Sequence, residues 1–353
     1  MSKEIVSYYD RICTKRFDPA FYGLEGVTPE TPAKIESILT LNQDVEPFII
    51  QASAPQTLLH SPSNKILQFI HFSDIHAVQE LWDRIVGYTN HYRDHIAFAL
   101  HTGDYCCSHQ DQYRDLYLGE ACVRPILNCV GNHDTISPEG QMRSKESVHS
   151  KLFNHTENWC VTFMDAPYAT AYYRDFPDSM VRLIVLDLYY DIQSQRAWLE
   201  GLLSDALEKG YHVITAMHEP SGTILHPENV TFHTLTAFSD KAAPVFDDIL
   251  GNFCRSGGNF ICNLSGHCHH DLFGFTENGV LNCSVECATD WAGWCDGHRI
   301  RGTRTYDCFN AVSIDTTDGL LKLVRIGDNT DRFLRIKRTL CYDYRSRQVI
   351  YNG

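Results

Sequence analysis

Five short groups of metal-binding residue types occur in a fixed order along this chain of 353 residues, each after an apolar run. Their members are carboxylates, imidazoles and one amide, which suit borderline or hard divalent metals. The groups are Asp74-Ile75-His76, Gly103-Asp104, Gly131-Asn132-His133-Asp134, His218 and Gly266-His267-Cys268-His269. Because independent weak motifs in one order are hard to obtain by chance, the set predicts a site that holds two metal ions.

Taken singly, these groups also have structural interpretations. Asp74 and His76 alone would fit a surface turn. Asn132 and Asp134 could cap a helix, because Asn and Asp favour such positions. His218 alone, after an apolar run, would fit a hydrogen-bonded buried histidine. The prediction of a metal site therefore depends on the whole set.

The last group has a competing metal interpretation. His267 and His269 could bind a single zinc ion, with Cys268 as a further ligand. We disfavour this because neighbouring side chains of an extended segment point to opposite faces. On that premise His267 and His269 share a face, and Cys268 points away.

The apolar runs before these groups predict the elements that position them. Predicted strands cover residues 66–72, 96–102, 126–130, 181–188, 211–217 and 260–265, followed by shorter strands at 272–275, 280–284, 311–315 and 320–326. Helices are predicted at 83–92 and 193–208, the second with Gly210 as its stop, and Asp318-Gly319 predicts a hairpin turn. Each candidate ligand thus follows a strand end, where open α/β sheets place ligand sites.

Composition restricts the class of partner and compartment. The formal net charge of -14 disfavours bulk binding to nucleic acid or to anionic membranes. Residues 1–15 lack the apolar region of a signal peptide, and no apolar run is long enough to span a bilayer. Without export, the 14 cysteines are predicted to be reduced thiols of a cytoplasmic protein.

With all five groups present in order, the chain resembles the calcineurin-like metallophosphoesterase superfamily from roughly Ile66 to Ile326. The resemblance implies an α/β fold, a four-layer αββα sandwich of two mixed β-sheets flanked by helices. We expect residues 65–353 to form this domain and residues 1–64, rich in Pro, Ser and Thr, to be an N-terminal extension. The implied activity is that of a dinuclear metal-dependent phosphohydrolase, in which a metal-bridging hydroxide attacks a phosphoester.

The resemblance also implies a role for each motif residue. The first metal would be held by Asp74, His76, Asp104 and His269, and the second by Asp104, Asn132, His218 and His267. His133 would stabilise the transition state and protonate the leaving oxygen. Asp134 would hold the His133 ring and favour its imidazolium form. In the purple acid phosphatase branch a tyrosine ligand occupies the position of Cys107, so this chain departs from that branch. Tyr105 lies next to Asp104 and is expected to point elsewhere.

Residues 290–305 contain the candidates for substrate binding. Trp291 and Trp294 could stack on a base or a sugar, and Arg299, Arg301 or Arg304 could pair with a phosphate. A solvated loop with an aromatic anchor is an equally good interpretation of this segment.

We favour a phosphodiester of a small molecule or nucleotide as the substrate. The alternatives are a phosphomonoesterase of the same fold, a nuclease of the same superfamily, and a catalytically silent metal-binding scaffold. The basic track that a nuclease needs is disfavoured by the net charge. A scaffold would need the ligands but not the His133-Asp134 pair. Mn, Fe and Zn are the metals that we expect.

Overall fold

The computed structural model describes residues 65–105, 122–153, 156, 159–222, 224–225, 231–232, 244–269, 272–288, 307–327 and 339–352. The predicted extension 1–64, Cys107 and the whole of segment 290–305, with Trp291, Trp294, Arg299, Arg301 and Arg304, lie outside the described residues.

The described residues form sixteen strands and four α-helices. The strands are β1 (Ile66–Phe72), β2 (Ala99–His101), β3 (Ile126–Asn128), β4 (Thr162–Phe163), β5 (Tyr172–Phe176), β6 (Val181–Val185), β7 (His212–Ala216), β8 (Ile224–Leu225), β9 (Thr231–Phe232), β10 (Phe260–Ser265), β11 (Leu272–Phe275), β12 (Leu281–Ser284), β13 (Cys308–Asp315), β14 (Leu320–Gly327), β15 (Thr339–Asp343) and β16 (Gln348–Asn352). The helices are α1 (Gln79–His91), α2 (Lys145–Leu152), α3 (Ile192–Lys209) and α4 (Pro244–Arg255), and a 3₁₀ turn covers His133–Thr135.

The strands form two mixed sheets, as expected. The first has seven strands in the order β16-β15-β14-β13-β1-β2-β3, and β1, β2 and β3 are parallel. The second has nine strands in the order β4-β5-β6-β7-β10-β12-β11-β8-β9, and β6, β7, β10 and β12 are parallel. Parallel strands bring their carboxyl ends to one edge of a sheet, so each sheet presents such an edge.

The sheets face each other and carry helices outside. In β6, Leu183 belongs to the core between the sheets, whereas its neighbour Ile184 packs with α3 and α4 on the other face. Side chains along a strand alternate between faces, so an all-apolar strand covers two layers. Helix α1 packs on the first sheet, where the Trp82 and Phe72 rings lie 6.0 Å apart. The layers are therefore helix, sheet, sheet and helix, which confirms the predicted sandwich.

Most predicted elements are present with small shifts at their ends. Strands β1 and β10 have the predicted bounds, while β2 and β6 end earlier than their apolar runs. Helix α3 ends at Gly210, whose φ of 73° lies in the left-handed region that favours glycine. Helices α2 and α4, strands β4 and β5 and the β15–β16 hairpin were not predicted.

Two predictions from composition can be compared with the described residues. All ten cysteines among them are free thiols, and their reduced state stays a prediction. No helix in that part of the chain has the length and apolar character needed to cross a membrane.

Candidate dinuclear metal centre

All five motif groups meet at one edge of the sandwich. Asp74, Asp104 and Asn132 follow β1, β2 and β3 of the first sheet, and His218 and His267 follow β7 and β10 of the second. A hydrogen bond joins the two sheets there, because the main-chain N–H of His267 donates to the side-chain Oδ2 of Asp74 at 2.9 Å. The parallel strands of both sheets thus supply one common site, as their strand ends predict.

The backbone of this edge is strained where the candidate ligands lie. Five of the seven have a positive φ: Asp74 (53°), His76 (46°), Asp104 (59°), His267 (62°) and His269 (56°). Asp and His adopt this conformation more readily than most residues other than Gly and Asn. Such outliers cluster at functional sites, where the surrounding structure holds them.

The left-handed residues correct our argument about Cys268. The segment is not extended, since His267 and His269 both have positive φ and the Cys268 N–H donates back to Gly266 O at 2.6 Å. Alternation of faces therefore does not apply to this segment. Within the described residues, the groups able to hold a metal still contain His269 and not Cys268.

The first set of donor atoms surrounds His269. Its Nε2 lies 3.2 Å from Asp74 Oδ1 and 3.4 Å from His76 Nε2. His76 Nε2 lies 3.8 Å from Asp74 Oδ1 and 4.0 Å from Asp104 Oδ2. These are the four residues that the resemblance assigns to the first metal.

The second set is tighter. His218 Nε2 lies 3.0 Å from Asn132 Oδ1, 3.3 Å from His267 Nδ1 and 3.3 Å from Asp104 Oδ2. His267 Nδ1 lies 3.1 Å from Asn132 Oδ1. With bonds of about 2.0–2.2 Å, ligands on one ion are about 3–3.5 Å apart. The donor spacing therefore fits a divalent metal.

The tautomer of His218 supports the same fit. Its Nδ1 lies 2.7 Å from the Thr102 carbonyl oxygen, so Nδ1 carries the hydrogen and donates it. In the neutral ring, Nε2 then presents a lone pair toward the Asn132 oxygen and the Asp104 carboxylate. A carbonyl that orients the outer nitrogen of a histidine is a common partner of metal ligands.

Asp104 is shared by the two sets through one oxygen. Oδ2 faces both His218 Nε2 (3.3 Å) and His76 Nε2 (4.0 Å). Oδ1 accepts the main-chain N–H of His133 at 2.8 Å. The carboxylate is therefore oriented so that the same atom is available on both sides.

The glycines of the motifs leave room for the side chains of neighbouring candidate ligands. A Cβ on Gly131 would lie 2.1 Å from Asp104 Oδ1, and a Cβ on Gly266 would lie 2.4 Å from Asp74 Oδ2. On Gly103 it would lie 2.5 Å from His218 Nδ1. The glycines of the motifs are thus needed for close approach as well as for turning the chain.

The protonation states also suit metal binding. Burial alone would raise the pKa of Asp74 and of Asp104, but the neighbouring imidazoles hold both values below the ordinary range. Burial lowers the pKa of His76 and of His267 to about 3, so both rings are neutral. Burial also opposes charge on His218, yet Asp104 raises its pKa to about 10 in the metal-free site. This raised pKa indicates that the neighbouring carboxylates stabilise a positive charge at this position.

His133 lies beside the donor sets and is more open to solvent. Its side chain is 29% exposed, while those of His76 and His218 are fully buried. His133 Nε2 lies 3.9 Å from Asp104 Oδ2, and its ring meets that of His76 edge-on at 4.9 Å. An imidazole at this position can reach a molecule that enters from solvent.

Asp134 braces the main chain of the site. One oxygen accepts the N–H groups of Asp104 (2.9 Å) and Gly131 (3.0 Å), and the other accepts that of Tyr105 (3.0 Å). These bonds link the loop after β2 to the loop after β3. They assign Asp134 a structural role that we did not predict, and its predicted contact with the His133 ring stays a prediction.

Two further contacts complete the surroundings. The Tyr105 hydroxyl donates to Asn128 Oδ1 and points away from the donor sets, as expected. Glu219, buried directly after His218, accepts the Tyr189 hydroxyl at 3.0 Å. Its position next to a predicted ligand was the only signal in the sequence for this pair.

This chain is similar to one protein family and to solved phosphatase structures. A family model described as calcineurin-like phosphoesterase matches residues 67–271. A comparison with curated protein sequences finds no match. A dimetal phosphatase from Danio rerio is similar with a TM-score of 0.52 and 15% identity, over 76% of this chain and 99% of that one. A purple acid phosphatase from yellow lupin (Lupinus luteus) seeds gives a TM-score of 0.47 and 13% identity, over 83% of this chain and 54% of that one.

At these identities, the likeness to the Danio rerio structure shows the fold. The family match goes further, because it covers more than half of the chain and includes every metal-binding motif. The chain belongs to the calcineurin-like phosphoesterase family and is a metal-dependent phosphoester hydrolase with a dinuclear site for divalent metals.

Proposed function

We propose that this protein hydrolyses phosphodiesters of small molecules or nucleotides. The observation that carries the proposal is the pair of donor sets that share Asp104 Oδ2, with the accessible His133 beside them. When bound there, two divalent metals supply a nucleophilic hydroxide at neutral pH and neutralise charge on the phosphoryl group.

We assign the first metal to Asp74, His76, Asp104 and His269, and the second to Asp104, Asn132, His218 and His267. The two carboxylates balance part of the metal charge, and the Asn132 amide adds a ligand without adding charge. The site then keeps a net positive charge that favours a phosphate. Mn, Fe or Zn suit this set of oxygen and nitrogen ligands.

His133 is the residue that we assign to the leaving group. Its accessible Nε2 can donate a hydrogen to the leaving oxygen and can also bind a non-bridging oxygen as charge develops. The main-chain bond from His133 to Asp104 Oδ1 keeps the ring next to the shared carboxylate. The presence of this group favours an active enzyme over a scaffold, which needs only the ligands.

Charge favours the diester over the monoester. The ion pairs of Asp74 and Asp104 in the described part of the chain are all with imidazoles, and none is with Lys or Arg. Among the described residues, positive charge for the substrate then comes from the metals. This suits the single charge of a diester better than the nearly double charge of a monoester at pH 7. We retain Trp291, Trp294, Arg299 and Arg301 as predicted substrate contacts.

The test is hydrolysis of bis-p-nitrophenyl phosphate and of p-nitrophenyl phosphate by protein stripped of metal and reloaded with Mn²⁺. We expect metal-dependent turnover with preference for the diester. In Asp104→Asn, the shared oxygen loses its charge, so metal content and turnover should both fall, by about 10³-fold or more in rate. Asp94→Asn, an exposed carboxyl outside the site, is the matched control and should behave as wild type.

The other outcomes are equally informative. A preference for the monoester would replace the diesterase by the phosphomonoesterase alternative. The protein could also bind two metals yet hydrolyse neither ester, nor any of a panel of nucleotide and sugar phosphodiesters. That result would contradict the enzymatic role and favour the scaffold.

A further inference from the structure

A second cavity lies at the opposite edge of the sandwich. It has a volume of about 250 Å³ and is lined by the chain before and at the start of β10, the facing ends of β11 and β12, and the β15–β16 turn. Phe260, which lines the cavity, begins β10, and Ser265 ends this strand two residues before His267, so about 17 Å of strand separates the two sites. The cavity is therefore distinct from the metal centre.

Aromatic rings from both sheets form its inner wall. Phe275 of β11 and Tyr342 of β15 both line the cavity, and their ring centroids are 6.2 Å apart. Tyr342 is buried, and the lining also includes Leu281 and Phe260. This wall can accept the flat apolar face of a small molecule.

Two guanidinium groups lie on the other side. Arg345 donates to the carbonyls of Thr317 (3.0 Å) and Thr316 (2.7 Å), and Arg347 donates to that of Gly279. Within the described residues, neither has a carboxylate at ion-pair distance. By contrast, Arg182 is paired with Asp175 at 2.7 Å and with a second Asp at 2.8 Å. A guanidinium has five N–H donors, so both arginines keep donors for an anion.

The backbone of Arg347 gives an independent sign of function. Its φ is 61°, in the left-handed region where a long side chain is unusual and where glycine would fit without strain. The Arg347 side chain lies over the Phe275 ring, with its guanidinium carbon 5.3 Å from the ring centroid. The same guanidinium donates to the carbonyl of Gly279, four residues after Phe275 in the chain. A strained residue that carries the charge of a cavity fits a ligand-binding role.

We propose that this cavity binds a small aromatic anion, a single ring that carries a phosphate or a carboxylate. The anionic group accepts hydrogen bonds from Arg345 and Arg347, and the ring packs against the apolar part of the lining, beside Phe275 and Tyr342. In a chain with a net charge of -14, a pocket lined by two arginines and no Asp or Glu selects for anions.

The test is isothermal titration of the metal-loaded full chain with phenylphosphonate, which has the ring and the charge but no ester bond to hydrolyse. We expect one saturable equivalent that remains in Asp104→Asn, because this variant alters only the metal centre. Arg347→Gly should weaken that equivalent at least about 10-fold through loss of a charged donor. Its fold should be preserved, since glycine suits the positive φ.

Cys160→Gly is the matched control, because Cys160 is exposed, has a φ of 53° and lies outside the cavity lining. It should bind phenylphosphonate like wild type. In Asp104→Asn, where the metal centre no longer competes for the anion, benzoate should bind at the same site, while benzyl alcohol and inorganic phosphate should each bind at least about 10-fold more weakly than phenylphosphonate. Loss of all binding in Asp104→Asn, or unchanged binding in Arg347→Gly, would overturn the proposal. Inorganic phosphate that binds as tightly as phenylphosphonate would overturn the role of the aromatic wall.

Discussion

The two edges of the sandwich, which β10 connects, carry charged side chains of opposite sign. At the carboxyl ends of β1, β2, β7 and β10, Asp74 and Asp104 lie among imidazoles. At the other end of β10, Arg345 and Arg347 line a cavity without a carboxylate. One scaffold thus places acidic and basic side chains at opposite edges, because strand direction determines which loops meet.

The two edges also differ in how many of their site residues have a left-handed backbone. Five candidate ligands are left-handed at the metal edge, and their strain is held by main-chain bonds such as those to Asp134. Among the residues that line the cavity at the opposite edge, Arg347 is the one residue other than glycine with a left-handed backbone. Close packing at the metal edge should make it the less tolerant of added atoms.

The largest effect that we predict is that of Gly131→Ala. The new Cβ would lie 2.1 Å from Asp104 Oδ1 and 2.2 Å from Asp104 N, so the shared ligand must move. We expect turnover to fall by about 10³-fold or more together with metal content, because both donor sets use Asp104. Metal analysis and initial rates measure this. Gly201→Ala, in helix α3 with nothing within 4 Å, is the control and should stabilise the protein by about 0.5–1 kcal/mol. Full activity in Gly131→Ala would show that the metal edge is not closely packed.

Next in size is His133→Ala. The side chain is outside the two donor sets that we assign, so both metals should remain, while loss of a proton donor should lower kcat by about 10²–10⁴-fold. Metal content and kcat are to be measured on the same preparation. His91→Ala, an exposed histidine at the end of α1, should leave both unchanged. If His133→Ala released a metal, His133 would be a ligand, consistent with its grouping with His76 and Asp104.

The smallest effect concerns pH at the opposite edge. Burial, helped by Arg345 and Lys65, lowers the pKa of His212 to about 4, and its Nδ1 lies 2.6 Å from the Tyr344 hydroxyl. The unfolded chain, with a pKa near 6.5, therefore binds the proton more readily. Stability from this residue is complete above about pH 6.5 and is lost as the pH falls toward 4.

Urea unfolding of metal-stripped protein at pH 7.5 and pH 5 checks this prediction. His212→Gln cannot take up the proton, so its midpoint should fall less between the two pH values than that of wild type. His95→Gln, exposed in the turn after α1, should fall as much as wild type does. If the unfolding midpoint fell equally in all three proteins, His212 would not contribute to the pH dependence of stability.

Local sequence was sufficient where an element is long and apolar. The predicted bounds of strands β1 and β10 match the structure. Helix α3 was predicted to within one residue at each end, with Gly210 as its stop. Helix α4 was missed although Phe246, Ile249, Leu250 and Phe253 have helical spacing and are buried. The two-residue strand β4 is defined by its pairing with β5, which a local pattern does not contain.

The chemistry of the site could be inferred from the sequence, because the required residue types occur in order after strands whose apolar pattern is local. Three features required the folded structure: the oxygen of Asp104 that faces both donor sets, the three main-chain N–H groups that Asp134 accepts, and the left-handed residues on either side of Cys268. The folded structure also brought Arg347 to Phe275 and Gly279, which lie about 70 positions away. These features depend on contacts between residues far apart in the chain, and those contacts exist only when both sheets have packed.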